Sequence, residues 1–127
     1  LMLIINGTLL PIGINKLLRM HWAVRKKEYK KFLANIENQN PEIRKQQFTD
    51  PVSIEYIRKS VRYMDWDNAA GSFKLIGDSL VELGVIIDDS PKYIPEFLVK
   101  QEKVKRDEQG FTVIIRKAST VREMRFE

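Results

Sequence analysis

The apolar positions change period several times along the chain, and each change predicts an element. Leu3 to Leu10 reads as a first strand closed by Pro11, with a flexible lead-in over Gly13 to Asn15. From about Trp22 to Glu37 the pattern is helical. Tyr29, Phe32, Leu33 and Ile36 recur at helical spacing, with Trp22 one heptad ahead of Tyr29. Asn38 to Pro41 end that helix with polar turn formers and a proline, and residues 42–50 read as a polar connection. Val52 to Met64 predicts a long strand whose alternation changes phase. Val52, Ile54 and Tyr56 share one face and Ile57, Val61 and Tyr63 the other, which implies a bulge or a face swap. A helix is expected over about Ala69 to Leu83, burying Phe73, Ile76, Leu80 and Leu83, with Gly84 as its stop. Val85 to Ile87 predicts a short strand. Phe97 to Arg106 and Phe111 to Lys117 predict a strand pair, joined as a hairpin across Asp107 to Gly110. The last ten residues show no period and are expected to fray or to dock on a partner. The sum is one small mixed β-sheet packed with two main helices. That is an α+β (mixed α/β) fold, in a single domain over residues 1–127.

Composition narrows the chemistry more than the fold. At 127 residues, 43% hydrophobic and 31% charged, the chain has the length and apolar content of one domain with a core. It contains no cysteine, which excludes disulfide frameworks, thiolate zinc sites, iron–sulfur clusters and cysteine nucleophiles. A single histidine, His21, excludes every scheme that needs two. The apolar opening run is broken by Asn6, Gly7 and Thr8 and has no basic stretch before it, unlike a signal peptide or a membrane span. The natural start is expected at Met2, in a cytoplasmic protein with no membrane attachment.

Charge is distributed unevenly within a net +5. Lys16, Arg19, Arg25, Lys26, Lys27, Lys30 and Lys31, against Glu28 alone, give +6 between positions 16 and 31. Asp65, Asp67, Asp78, Glu82, Asp88, Asp89 and Glu96, against Lys74 and Lys92, give −5 between 65 and 96. A cationic surface beside an acidic centre suits a metal-dependent nuclease, which must hold phosphates and also a cation. The plainer reading is that the basic residues are the solvated face of an amphipathic helix. Arg58, Lys59, Arg62 and Lys100 would likewise lie on exposed sheet faces.

Asp65-x-Asp67-Asn68 falls at the junction between the second strand and its helix. If the chain is extended there, the two aspartates share a face, and two like charges that close are easiest to explain with a cation between them. The junction also lies at a helix start, a place that attracts anions such as phosphate. Asp88-Asp89 repeats the arrangement after the next predicted strand, and strand ends leading into and out of one helix could bring all four carboxylates together. Oxygen-only ligands point to Mg²⁺, with Mn²⁺ as the alternative. The competing reading makes Asp67 or Asn68 a helix cap and Asp88-Asp89 part of a turn before Pro91.

Asp65-Trp66-Asp67-Asn68, followed by Asp78-x-Leu80 and Gly84-Val85-Ile86-Ile87-Asp88-Asp89, resembles the RusA family of Holliday-junction resolvases. These are small dimeric endodeoxyribonucleases of bacteria and prophages. The Lys92-Tyr93 segment and the closing strands follow the same plan, and Leu10-Pro11 with Asn15 loosely matches the family's opening. The resemblance implies that Asp65, Asp67 and Asp89 are the metal-binding catalytic aspartates, with Asp88 beside them. It also implies a lysine early in the intervening helix. Counted back from Asp78 that lysine is Lys74, whereas counted forward from Asp67 the position is Gly71, so an insertion is expected around 69–73. Lys74 and Asp78 are otherwise an ordinary helical ion pair. Lys16, Arg19, Arg25, Lys26, Lys27, Lys30 and Lys31 are the residues expected to grip DNA. Two symmetric nicks imply a homodimer. Trp22 and the apolar C-terminal strands are candidates for that interface but are expected in the core, and His21 is left without a role. A non-catalytic DNA-binding prophage protein that keeps the fold is the alternative.

Overall fold

The computed structural model describes residues 2–118. In chain order they form β1 (Met2–Gly7), α1 (Ile14–Arg19), α2 (Trp22–Gln39), β2 (Val52–Ser60), α3 (Trp66–Gly71), α4 (Lys74–Glu82), β3 (Glu96–Lys103) and β4 (Gly110–Lys117). Short 3-10 turns lie at Ile43–Lys45 and Arg106–Glu108. The strands make one mixed sheet in the order β1-β4-β2-β3. β4 is antiparallel to both of its neighbours, and β3 runs parallel to β2. This is the small α+β fold expected from the sequence.

The pattern of β2 decides where the helices lie. Val52, Ile54, Tyr56, Arg58 and Ser60 are buried, and the residues between them are half-buried on the opposite face. Register sets Ile5, Val113 and Tyr56 side by side on the covered face. Phe32 and Ile36 of α2 and Ile76 and Leu80 of α4 join them in the core. Each large apolar side chain buried in this way contributes about 1.5–3 kcal/mol. The other face carries the row Ile4, Ile114, Glu55, Leu98, of which Ile4 and Leu98 are exposed. Among the described residues no helix is long and apolar enough to cross a membrane.

Several expectations need correction. β2 keeps one phase and stops at Ser60, so there is no bulge or face swap; residues 61–65 are loop. The expected single helix over 69–83 is two, broken at Ser72–Phe73, although its stripe of Phe73, Ile76, Leu80 and Leu83 is buried as expected. Ser72 explains the break: its Oγ donates to the Ala69 carbonyl and lies 2.6 Å from the buried Tyr56 hydroxyl. This tie anchors the turn to the sheet. Residues 85–87 form no strand, but Val85 and Ile86 are buried as a loop plug. The lead-in at 13–15 is the start of a helix, α1. β3 and β4 are not a hairpin, because β2 lies between them. Trp22 is 70% exposed rather than core. Arg58, expected on an exposed face, is 5% exposed and donates through Nε and Nη2 to the Pro11 carbonyl. Burial lowers its pKa, a cost that the two charged hydrogen bonds offset. The expected behaviour of the last ten residues lies outside the described residues, Ala118 apart.

The β3–β4 connection returns to the sheet at Gly110, whose φ is +152 and whose Cβ, if it had one, would strike the Gly7 carbonyl oxygen. Both strain and contact exclude a side chain. Gly110→Ala is expected to destabilise the protein by about 1–3 kcal/mol, read as a lowered urea midpoint with unchanged slope. An unchanged midpoint would show that the turn relaxes freely.

Candidate active site

The loop that delivers the first aspartates is fixed at each end by a glutamine. Gln109 Oε1 accepts from the Val61 amide at 3.2 Å, and Gln101 clamps both backbone groups of Met64, at 2.9 and 2.8 Å. Asp65 then caps α3: its Oδ1 accepts from the Asn68 amide at 2.9 Å. Asp67 sits in the first turn, exposed and without a hydrogen bond or ion pair among the described residues. The extended Asp65–Asp67 pair is therefore corrected to a cap followed by a first-turn carboxylate. Asn68 joins α3 to α1, its Oδ1 accepting from the Asn15 amide at 3.0 Å. Gly71 permits that approach, since a Cβ there would meet the Ile14 side chain.

The second pair arrives by a different route. Because β3 is parallel to β2, with Ser53 opposite Glu96, the chain must return past α4 before it enters β3. The loop after Gly84 runs back along α4, and Asp89 reaches Lys74 in its first turn: Nζ to Oδ2 is 3.8 Å, and Nζ to Asp78 Oδ1 is 3.2 Å. The Lys74 pKa is raised, chiefly by its hydrogen bond to Asp78. The charges of Asp78, Asp89 and Asp88 add to this against the opposing effect of burial. Gly71, the other position for the lysine, packs on Ile14 and has no room for a side chain.

Lys74 and Asp89 form the charged rim of a cleft of about 360 Å³ whose walls are Ile14, Ala70, Gly71, Phe73, Ile94 and Phe97. On the other side of Asp78, Arg25 and Lys26 of α2 share a second, smaller pocket with it. The α2 cations thus divide into two groups. Arg25 and Lys26 adjoin the acidic α4, whereas Lys27, Lys30 and Lys31 are exposed, with Lys31 paired to Glu28 at 2.9 Å. Lys16 and Arg19 are exposed on α1. Tyr29 donates to Glu82, and burial raises its pKa.

Four exposed carboxylates, Asp65, Asp67, Asp88 and Asp89, suit a hard divalent cation in donor chemistry. Asp65 and Asp67 stand at the start of α3, and Asp88 and Asp89 on the loop that follows α4. Among the described residues no three His, Asp or Glu side chains converge on one point. Asp89 turns instead to Lys74, which supplies its counter-charge. Sequence reasoning missed Gln101 and Arg58 on strands and Gln109 just before one as supports, because a polar side chain carries no signal of the distant backbone it will meet. No protein-family model matches the chain, and no curated protein matches it either.

Proposed function

We propose that the chain is a metal-dependent, structure-specific endodeoxyribonuclease of the RusA kind, nicking four-way DNA junctions in recombination and repair. The observation that carries this reading is the continuity of cations and carboxylates. Arg25 and Lys26 adjoin Asp78, Asp78 holds Lys74, and Lys74 reaches Asp89 at the rim of the cleft. A phosphate drawn to the α2 edge would be delivered beside the acids.

Asp65, Asp67 and Asp89, with Asp88 beside the last, would hold Mg²⁺ or Mn²⁺. When bound, the ion supplies an activated water and neutralises charge on the phosphate. Lys74 carries a fixed positive charge that can hold the scissile phosphate or the charge that develops on it. Lys16, Arg19, Arg25, Lys26, Lys27, Lys30 and Lys31 contact the DNA backbone, so binding falls steeply with salt. Two symmetric nicks need two active sites, which two copies related by a two-fold axis supply. The test is a nicking assay on a synthetic four-way junction. Paired symmetric nicks in Mg²⁺, absent in EDTA, are expected.

A second reading is favoured by one observation: Asp89 already has a cation, Lys74. A protein that binds branched DNA without cutting it would need no more. Tight junction binding with no nicking in either Mg²⁺ or Mn²⁺ would select that reading.

A further inference from the structure

We propose that the pocket between α2 and α4 is a nucleobase site, taking one unstacked base of branched DNA onto the Trp22 ring. The proposal rests on the DNA-binding reading above and adds to it a place where a base, rather than a phosphate, is held. The pocket has a volume of about 300 Å³ and is lined by Trp22, Arg25, Lys26, Tyr29, Leu75 and Asp78. Three features of these walls suit a base.

The first is Trp22. An indole 70% exposed on the first turn of a long helix costs solvation, and the one ring it meets among the described residues is the tilted ring of His21, 5.5 Å away. His21 is itself fixed, since its Nδ1 accepts from the Ala23 amide at 3.2 Å as the cap of α2. The second is Arg25, whose Nε is buried with no hydrogen-bond partner among the described residues. Nε itself is closed to solvent, so a base would meet the guanidinium through its outer nitrogens, which carry the remaining donors of the fork. The third is Asp78, whose Oδ1 is engaged by Lys74 while Oδ2 remains able to accept from an exocyclic amino group.

Stacking surface, donor and acceptor on adjoining walls match a base, which has a face and an edge carrying both kinds of group. Lys26 at the rim suits the phosphate attached to it. An apolar protein segment would cover Trp22 but leave Arg25 and Asp78 unmatched, and it would gain nothing from the +6 charge between positions 16 and 31. Asp78 also holds Lys74, so a base seated here would lie one side chain away from the candidate catalytic lysine. Such a seat would make cutting depend on the presence of unpaired or easily unstacked bases, which is to say on branched structure.

The test uses the full chain and a four-way junction carrying 2-aminopurine at the branch point, at several salt concentrations without metal. With the wild type, binding should quench the probe through stacking. Trp22→Ala should abolish the quench and weaken binding about 10-fold, with the salt dependence unchanged. Trp22→Phe, which keeps a ring, should retain most of both. Lys26→Ala should instead lower the slope of log affinity against log salt by about 0.9 and keep the quench. Circular dichroism confirms that each variant is folded. If Trp22→Ala binds and quenches as wild type does, the base site is overturned while the DNA-binding reading stands. If it changes self-association but not DNA affinity, Trp22 faces a second copy of the chain and the proposal is again wrong. If the wild type binds no junction even at low salt, the underlying reading fails and the base site fails with it.

Discussion

Asp67→Asn is expected to lower Mg²⁺-dependent junction nicking by about 10³-fold or more while leaving junction affinity unchanged or raised. Asp67 is exposed in the first turn of α3 and carries no structural hydrogen bond among the described residues. Replacing it removes one ligand oxygen's charge and costs the fold at most the small benefit of an acid near a helix start, about 0.3–1 kcal/mol. Loss of activity would therefore report on the chemistry. Affinity should hold or rise because one negative charge no longer opposes the phosphates. Asp65→Asn is the companion variant. Asp65 caps α3 through Asn68, and asparagine caps a helix about as well as aspartate does. Any loss of cutting with Asp65→Asn thus separates its charge from its capping role. The measurements are single-turnover nicking in Mg²⁺ and junction binding in EDTA. Wild-type cutting by Asp67→Asn would remove Asp67 from the site.

Periodicity and turn chemistry account for the parts of the fold that are legible in the sequence. α2 begins at Trp22 as its spacing requires, and the buried stripe of the helical region is readable because burial on a helix repeats at fixed intervals. The break between α3 and α4 is not readable. It depends on a Ser72–Tyr56 contact between residues that no local rule connects. The false hairpin has a similar cause. Two strands joined by a short, turn-rich segment look paired, yet here β2 separates them, and strand order is a property of the whole sheet. Arg58 shows the same limit for charge. It falls in phase with Val52, Ile54 and Tyr56 on the buried face, but residue type argues the other way, because arginine seldom lies there without a carboxylate. The acidic residues are legible as a pattern but not as a constellation. Asp65, Asp67, Asp88 and Asp89 stand on consecutive segments of the sequence, whereas the parallel β2–β3 connection determines how the second pair returns to the first.

Lys74→Gln is expected to slow nicking about 10²-fold at saturating Mg²⁺ and at the same time to lower the Mg²⁺ concentration needed for half the maximal rate. The two effects have different origins. The rate falls because Lys74 is a permanent cation at neutral pH: its raised pKa keeps it charged there. Glutamine can donate a hydrogen bond but cannot neutralise charge developing on a phosphate. The metal requirement falls because the lysine and a divalent ion compete for Asp89, 3.8 Å from Nζ. That pair is half exposed, so solvent screening limits it to about 0.2–1 kcal/mol, and the gain in metal affinity should be no more than about 5-fold. Measuring nicking rate against Mg²⁺ concentration for wild type and variant separates the roles. A shift in the metal requirement with an unchanged maximal rate would make Lys74 only a counter-ion for Asp89 and Asp78. A loss of rate with no shift would mean that Asp89 reaches the metal without first leaving the lysine. Only a fall in both quantities fits a lysine that restrains the third aspartate in the free protein and acts on the phosphate once DNA is bound.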